Sequence, residues 1–403
     1  MSRARAGGVL VVAAVAAGAT VGVTRPWQAS APKSVTPAVG APVGAANVAD
    51  ASDASDAVAA AGNYFLDHYE QPGGRVVRWD QGGDTVSEGQ AYAMLVAVAL
   101  GRRDRFAAAW SWSQAHLQRA DGLLAWQYTG ASAAAGGPAS GTSPATDADL
   151  DSAWALALAA GRFGDPGYRS AAAHLASAVL AHEVESMDGE QVLLAGPWAG
   201  GASATIDPSY LSPLDEDSLA QLTQDTTWRQ VAQTSDRLLA ELTGSGNLPS
   251  DWAIVVPGGD AHPTAPPGKS GSPVLYGYDA VRVPVRLAAS CDSTDAALAA
   301  GMWRVLQRDV DTRRPLVELD LGGSPQAGAT DAPVGMVGAA AAAAAAGQQK
   351  SATDLLDGAQ FANGKQPTYY GSAWVALGRI LLETRSLGGC PPLWPGVSSR
   401  ARG

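Results

Sequence analysis

Three short acidic motifs are the part of this 403-residue sequence whose residue types and spacing could do chemistry. They are SEGQ at 87–90 with Glu88, TDAD at 146–149 with Asp147 and Asp149, and YDAVR at 278–282 with Asp279 and Arg282. Each motif leads into an apolar segment with helical spacing, so the carboxylates fall at the starts of helices. Separated carboxylates without a neighbouring metal, thiol or nucleotide motif are typical of acid–base hydrolysis of a glycosidic bond.

Helix capping is the structural interpretation of the same motifs. Thr85 and Glu88 have the spacing of a capping box, Thr146 and Asp149 repeat it, and Asp279 could be an N-cap that pairs with a nearby Arg. Against this interpretation, Gly89 in the first turn of a helix costs about 1 kcal/mol relative to Ala. We expect that glycine to leave open space beside Glu88 for a ligand.

The composition excludes several classes of protein. There are 27 basic and 38 acidic side chains, a formal net charge of −11, so a nucleic-acid surface with clustered Lys and Arg is not expected. Two cysteines and five scattered histidines do not suit a disulfide scaffold or a cysteine- or histidine-rich metal centre. We therefore expect neither a metal ion nor an organic cofactor, and no nucleic-acid partner.

The N-terminus has the layout of an export segment. Arg3 and Arg5 precede an apolar stretch at about 7–23, so residues 1–31 are predicted to be a signal peptide or an uncleaved signal anchor. The sequence leaves both outcomes open, so the protein is expected to be secreted, or extracellular with a membrane tether. Cys291 and Cys390 would then lie in an oxidising compartment, and whether they form a disulfide is also open.

The remaining organisation follows from composition and periodicity. Residues 32–54 are rich in Pro, Ala, Val and Ser and are predicted to be a flexible linker, 55–390 a single folded domain, and 391–403 a disordered tail. About twelve helical segments without a heptad seam suit a closed ring of helical hairpins, with nearly all-apolar inner helices and amphipathic outer helices. Long polar loops would gather at the helix ends, so the acidic helix starts could share one rim and build a cleft there.

The motifs together resemble family 8 of the glycoside hydrolases, the bacterial endoglucanase family often called cellulase D. The segment at 87–95 resembles the family's proton-donor segment, 145–149 its acidic signature and 278–282 the segment that carries the catalytic base. The resemblance covers about residues 57–386, with the motifs in the family's order. It implies an all-α (α/α)6 barrel, an inverting mechanism and a polysaccharide substrate, and we expect a monomer.

The resemblance also implies roles for individual residues. Glu88 would be the general acid, Asp279 the general base, and Asp147 would hydrogen-bond a distorted sugar at the cleavage point. The expected substrate-binding residues are Trp126, Tyr128, Asp149, Tyr210, Tyr276, Arg282, Tyr369 and Tyr370. The sequence departs from the family pattern at Asp207, where Asn is usual, and at Tyr128, where Trp is frequent.

Three functions compete at this point. The first is an endo-β-1,4-glucanase, and the second keeps the fold but acts on chitosan, xylan or mixed-linkage glucan. The third is a non-catalytic polysaccharide-binding or assembly protein built on a decayed hydrolase barrel. The presence of Glu88, Asp147 and Asp279 argues against the third function, because a binding protein does not need separated acids.

Overall fold

Helices make up most of the computed structural model, which describes residues 48–130, 143–244, 246–290 and 292–387. The predicted export segment 1–31, Cys291, Cys390 and the tail 391–403 lie outside these residues. The first helix begins at Val48, inside the range predicted to be a linker. Within the described ranges, no helix combines the length and the apolar character needed to span a membrane.

Twelve α-helices lie in the described residues and alternate between two layers. The inner helices are α2 Ser87–Ala99, α4 Thr146–Phe163, α6 Pro213–Thr223, α8 Val283–Ala289, α10 Pro333–Ala345 and α12 Tyr369–Glu383. The outer helices are α1 Val48–Tyr69, α3 Arg103–His116, α5 Pro166–His182, α7 Thr226–Thr243, α9 Ser293–Thr312 and α11 Gln349–Lys365. Each inner helix packs against the next inner helix, and α12 packs back against α2. The predicted closed ring of helical hairpins, an (α/α)6 barrel, is therefore confirmed.

The inner helices are buried on almost every side, as their small and apolar residues require. In α2 every residue except Glu88 is buried. The alanines at 339–343 of α10 are fully buried, and a Cβ on Gly378 of α12 would overlap Val337 of α10. Small side chains therefore let the inner helices approach closely enough to close the ring, while outer helices such as α7 bury one face only.

In the part of the chain that the structure describes, seven short strands lie in the loops between helices. They are β1 Thr85–Val86, β2 Gln127–Tyr128, β3 Val184–Met187, β4 Glu190–Leu193, β5 Ala204–Ile206, β6 Trp252–Val255 and β7 Ala261–Thr264. All pairs are antiparallel: β1 with β2, β3 with β4, and β6 between β5 and β7. Since Ile206 of β5 is opposite Ala253 of β6, the residues just after β5 and just before β6 meet at one edge of that sheet.

A buried ion pair links three inner helices below the rim. Arg286 of α8 donates to both carboxylate oxygens of Asp151 in α4, at 2.8 and 3.0 Å. The same guanidinium lies 3.4 Å from Asp215 of α6, and all three side chains are almost completely buried. Asp151 and Asp215 share the guanidinium of Arg286. Removal of that cation would therefore leave two carboxyl groups buried without a counterion.

The first prediction concerns this buried cation. Arg286→Met should lower the free energy of unfolding by about 3–5 kcal/mol, because Asp151 and Asp215 would then be buried without a counterion. Urea unfolding followed by far-UV circular dichroism measures the change. Lys350→Ala is the control, since Lys350 pairs with Asp354 on the surface with 87% of its side chain exposed. Equal effects of the two substitutions would contradict the role of the buried pair.

Candidate active site

Three carboxylates far apart in the sequence meet at one side chain, Arg282. Its Nη1 lies 2.9 Å from Asp147 Oδ2 and 3.5 Å from Glu88 Oε2, and its Nη2 lies 3.0 Å from Asp279 Oδ1. Glu88 and Asp147 lie in the first turns of α2 and α4, and Asp279 precedes the short 3-10 turn Ala280–Arg282 that leads into α8. The starts of these inner helices therefore share one rim of the ring.

The capping interpretation is wrong for the first two motifs, whereas in the third Asp279 does occupy the N-cap position of its 3-10 turn and does pair with Arg282. The N-cap positions of α2 and α4 are Val86 and Ala145, and neither helix has a side-chain cap. Thr85 donates its hydroxyl to the carbonyl of Val76 at 2.6 Å instead of capping α2, and Asp279 makes no capping hydrogen bond. The carboxylates are therefore not needed to terminate their own helices.

The expected open space beside Gly89 is also not present. A Cβ at this position would overlap the hydroxyl and ring of Tyr369, from the start of α12. The Tyr369 hydroxyl in turn donates to Glu88 Oε1 at 3.4 Å. Gly89 is thus required for the close approach of a side chain that contacts Glu88, and the space is filled by the protein itself.

The site has an open layer and a buried layer. The side chains of Glu88 and Asp279 are 24% and 34% exposed, whereas those of Arg282 and Asp147 are only 1% and 3% exposed. Because Glu88 and Asp279 contact the two ends of one planar guanidinium, their nearest oxygens are at most about 9 Å apart. Two accessible carboxyl groups therefore face the rim, above a floor formed by the ion pair.

The environment gives Glu88 an unusual protonation state. Burial raises its pKa to about 8, with a further contribution from the negative charge of Asp147, while Arg282 acts in the opposite direction. Burial also raises the pKa of Asp147, again opposed by Arg282. Glu88 thus carries a proton at neutral pH, as a general acid requires.

Sequence reasoning did not assign two further acids at the site. Asp207, which follows β5, is fully buried, and its Oδ2 lies 3.7 Å from Arg282 Nη2 without a hydrogen bond to any described residue. Burial and the nearby charge of Asp279 raise the pKa of Asp207 well above its usual range. Asp251, which precedes β6, accepts hydrogen bonds from the segment that carries Asp279. The departure from the usual Asn was a signal for Asp207, whereas no motif indicated Asp251.

Several predicted substrate-binding residues do border the site. The Tyr210 ring centre lies 5.4 Å from the Arg282 guanidinium, and Tyr370 donates its hydroxyl to the carbonyl of Tyr278 at 2.7 Å. Tyr210, Tyr370 and Trp126 are each partly exposed. The structure adds a residue that was not predicted, Tyr92, whose hydroxyl lies 3.2 Å from Arg282 Nη1.

Other predicted substrate contacts lie in the interior. Asp149 is fully buried and accepts a hydrogen bond from the backbone N–H of Leu124 at 2.8 Å, so it fixes a loop and does not reach a bound sugar. Tyr276 is fully buried beneath α10, close to Gly338, so it does not reach a bound sugar either. Tyr128 keeps only 7% exposure, because its ring packs against Trp112.

Comparison with known proteins identifies similar sequences and structures. The family described as "Glycosyl hydrolases family 8" matches residues 44–381. A probable endoglucanase from Novacetimonas hansenii is 34% identical over 258 residues, which are 61% of this chain and 71% of that protein. An endoglucanase from Cellulomonas uda is 30% identical over 223 residues, 54% of this chain and 59% of that protein. The solved structure of an endo-β-1,4-glucanase from Acetobacter xylinum is 28% identical, with a TM-score of 0.67, and the match covers 81% of this chain and 99% of that one.

The second prediction concerns the protonation of Glu88. Arg282→Met should raise the pKa of Glu88 above its value of about 8, because the cation that favours the ionised form is removed. Arg282→Lys keeps the charge and should shift this pKa less. The ¹³C shift of the Glu88 carboxyl carbon, followed through a pH titration, measures the change.

The matched control for this titration is Arg379→Met. Arg379 is also buried and also pairs with two acids, Asp357 and Glu383, but none of the site carboxylates is its partner. Its removal should leave the Glu88 titration unchanged. An unchanged pKa of Glu88 in Arg282→Met would refute the electrostatic coupling.

Proposed function

The chain belongs to glycosyl hydrolase family 8, and on that basis we propose that it is an exported endo-β-1,4-glucanase that inverts the anomeric configuration. The observation that carries the proposal is the pair Glu88 and Asp279. These carboxyl groups are partly exposed, flank one guanidinium and differ in their surroundings. Acid–base hydrolysis of a glycosidic bond needs two such groups, one protonated and one ionised.

The glucan part of the proposal rests on the relatives. The curated relatives from Novacetimonas and Cellulomonas are named endoglucanases, at 34% and 30% identity to this chain. Tyr210 and Tyr370 present rings at the rim, and sugar faces pack on aromatic rings. We therefore infer a β-linked glucan of the cellulose type as the substrate.

Glu88 is the proposed general acid. Its proton is retained up to a pH of about 8, so it can be donated to the glycosidic oxygen as the bond to the leaving sugar breaks. The contact of Asp147 with the sugar at the cleavage point stays a prediction, since its side chain lies in the floor of the site with 3% exposure. We add a second role for Asp147, because its negative charge also raises the pKa of Glu88.

Asp279 is the proposed general base. Arg282, 3.0 Å away, stabilises the negative charge on its carboxylate, which accepts a proton from the water that attacks the anomeric carbon. In inverting enzymes the two carboxyl groups lie about 6.5–9.5 Å apart, so that this water fits between the sugar and the base. The upper limit of about 9 Å set by the shared guanidinium is compatible with that range.

Export is inferred from the sequence of residues 1–31. Charged residues before an apolar stretch are typical of a secretory signal, and a polymeric glucan must be met outside the cell. We propose that the hydrolase acts outside the cell, either free or tethered through that segment.

The third prediction tests catalysis. Glu88→Gln and Asp279→Asn should each lower kcat on carboxymethylcellulose by about 10³-fold, because each removes one proton-transfer step. A reducing-sugar assay measures the rates, with Asp354→Asn, a surface acid-to-amide change, as the control. Wild-type turnover no faster than both variants on carboxymethylcellulose, chitosan and xylan would leave only a binding function. Turnover of chitosan or xylan alone would retain the hydrolase and overturn the glucan assignment.

The fourth prediction tests the stereochemistry. Hydrolysis of a soluble β-1,4-linked glucan oligosaccharide should release the α-anomer first, because water attacks from the face opposite the leaving group. ¹H NMR spectra of the anomeric protons, recorded within minutes of adding a high enzyme concentration, distinguish the two products before mutarotation. An initial β-anomer would overturn the inverting assignment and leave the family membership untouched.

A further inference from the structure

We propose that Asp251 is a positioning residue that holds the segment 277–280, and with it the Asp279 carboxylate, in place for catalysis. The inference rests on the proposed role of Asp279 as the general base. Asp279 does not lie within a long helix, so its position depends on the short loop segment before the 3-10 turn Ala280–Arg282. That segment needs its own restraint.

One carboxylate oxygen supplies this restraint. Asp251 Oδ1 accepts hydrogen bonds from the backbone N–H groups of Gly277 at 3.0 Å, Asp279 at 3.2 Å and Ala280 at 2.8 Å. These N–H groups lie before or at the start of the 3-10 turn, so no carbonyl group within that turn accepts a hydrogen bond from them. Because all three N–H groups share this one oxygen, Asp251 fixes the backbone on both sides of the Asp279 side chain.

Gly277 has the residue type that this arrangement requires. A Cβ at this position would overlap Asp251, to which all three of the nearest atoms belong. The backbone at Gly277 is not in the left-handed region, so the need for glycine comes from close approach to the carboxylate and not from the φ angle. The pairing of Asp251 with Gly277 is therefore a steric match as well as a set of hydrogen bonds.

Asp251 is itself attached to rigid structure. Its own N–H donates to the carbonyl of Leu275 at 2.9 Å, and the next residue begins β6, the central strand of the three-stranded sheet. Before the segment, Tyr276 exchanges two backbone hydrogen bonds with Leu319, at 2.9 and 3.1 Å. The geometry thus connects the sheet to Asp251, Asp251 to the segment, and the segment to the Asp279 carboxylate.

Two substitutions separate the hydrogen bonds of Asp251 from its charge. Asp251→Ala removes the acceptor and should lower kcat on carboxymethylcellulose about 100-fold with KM changed less than about 3-fold, because a shift of about 1 Å in a reacting group has that effect. Asp251→Asn keeps an acceptor oxygen and should restore kcat to within about 5-fold of wild type. Asp251→Ala at wild-type kcat, or Asp251→Asn as slow as Asp251→Ala, would overturn the positioning role.

The matched control is Asp225→Ala. Asp225 also accepts a backbone N–H at a helix start, from Thr227 at 2.8 Å, but on the outer helix α7. Its removal should lower the melting temperature by a few degrees without changing kcat. The control separates a loss of stability from a loss of positioning.

A double-mutant cycle tests the contact from the other side. Gly277→Ala should lower kcat in the wild-type background, because its Cβ displaces the carboxylate, and should add little to Asp251→Ala, where that carboxylate is absent. Multiplicative effects of the two changes would overturn the proposal. Asp279→Asn is assayed in parallel. If Asp279→Asn is inactive while Asp251→Ala is fully active, the positioning role of Asp251 is refuted and the general base stands. If Asp279→Asn is fully active, both the general base and the positioning role are refuted.

Discussion

The chemistry of this protein depends on one buried guanidinium that four carboxyl groups share. Arg282 lies within 3.7 Å of Glu88, Asp147, Asp207 and Asp279, and its side chain is 1% exposed. A single positive charge cannot fully stabilise four negative charges in a largely buried site, which favours protonation of some of these groups. Burial raises the pKa of both Glu88 and Asp207, and the negative charge of a neighbouring carboxylate, Asp147 for Glu88 and Asp279 for Asp207, raises it further. The site thus keeps a carboxyl group protonated at neutral pH by burying it and by placing further carboxyl groups around the one cation beside it.

The ring of helices makes this crowding possible. Carboxylates separated by nearly 200 residues meet because inner helices of an (α/α)6 barrel begin at a common rim, as α2 and α4 do. Extensive burial of small side chains in those helices stabilises the ring and opposes the cost of bringing like charges together. Arg286, one helical turn beyond Arg282, pairs with Asp151 and extends the same arrangement of charges below the rim.

The sequence predicted the ring and its acids because both depend on local information. Apolar residues at helical spacing, with glycine and proline at the ends of the segments, predict helices. An acid at the start of an inner helix lies at the rim whatever path the connecting loops take. The contacts of Asp207, Asp251 and Tyr92 could not be predicted, because they depend on which loops meet after folding. The same limit explains two errors: Gly89 accommodates Tyr369, a residue about 280 positions away, and Asp149 faces inward to hold Leu124. Spacing along the chain gave no indication of either neighbour.

The proposed acid and the proposed base are held by the scaffold in different ways. Glu88 lies in the first turn of a helix whose other residues are all buried. Asp279 lies in a loop segment whose backbone N–H groups donate hydrogen bonds to Asp251. Local opening of such a loop requires less free energy than unfolding of a packed helix. The temperature range of turnover and the durability of the scaffold therefore depend on separate stretches of polypeptide, so substitutions in the loops at 204–212 and 246–282 would change the first while leaving the packed inner helices intact.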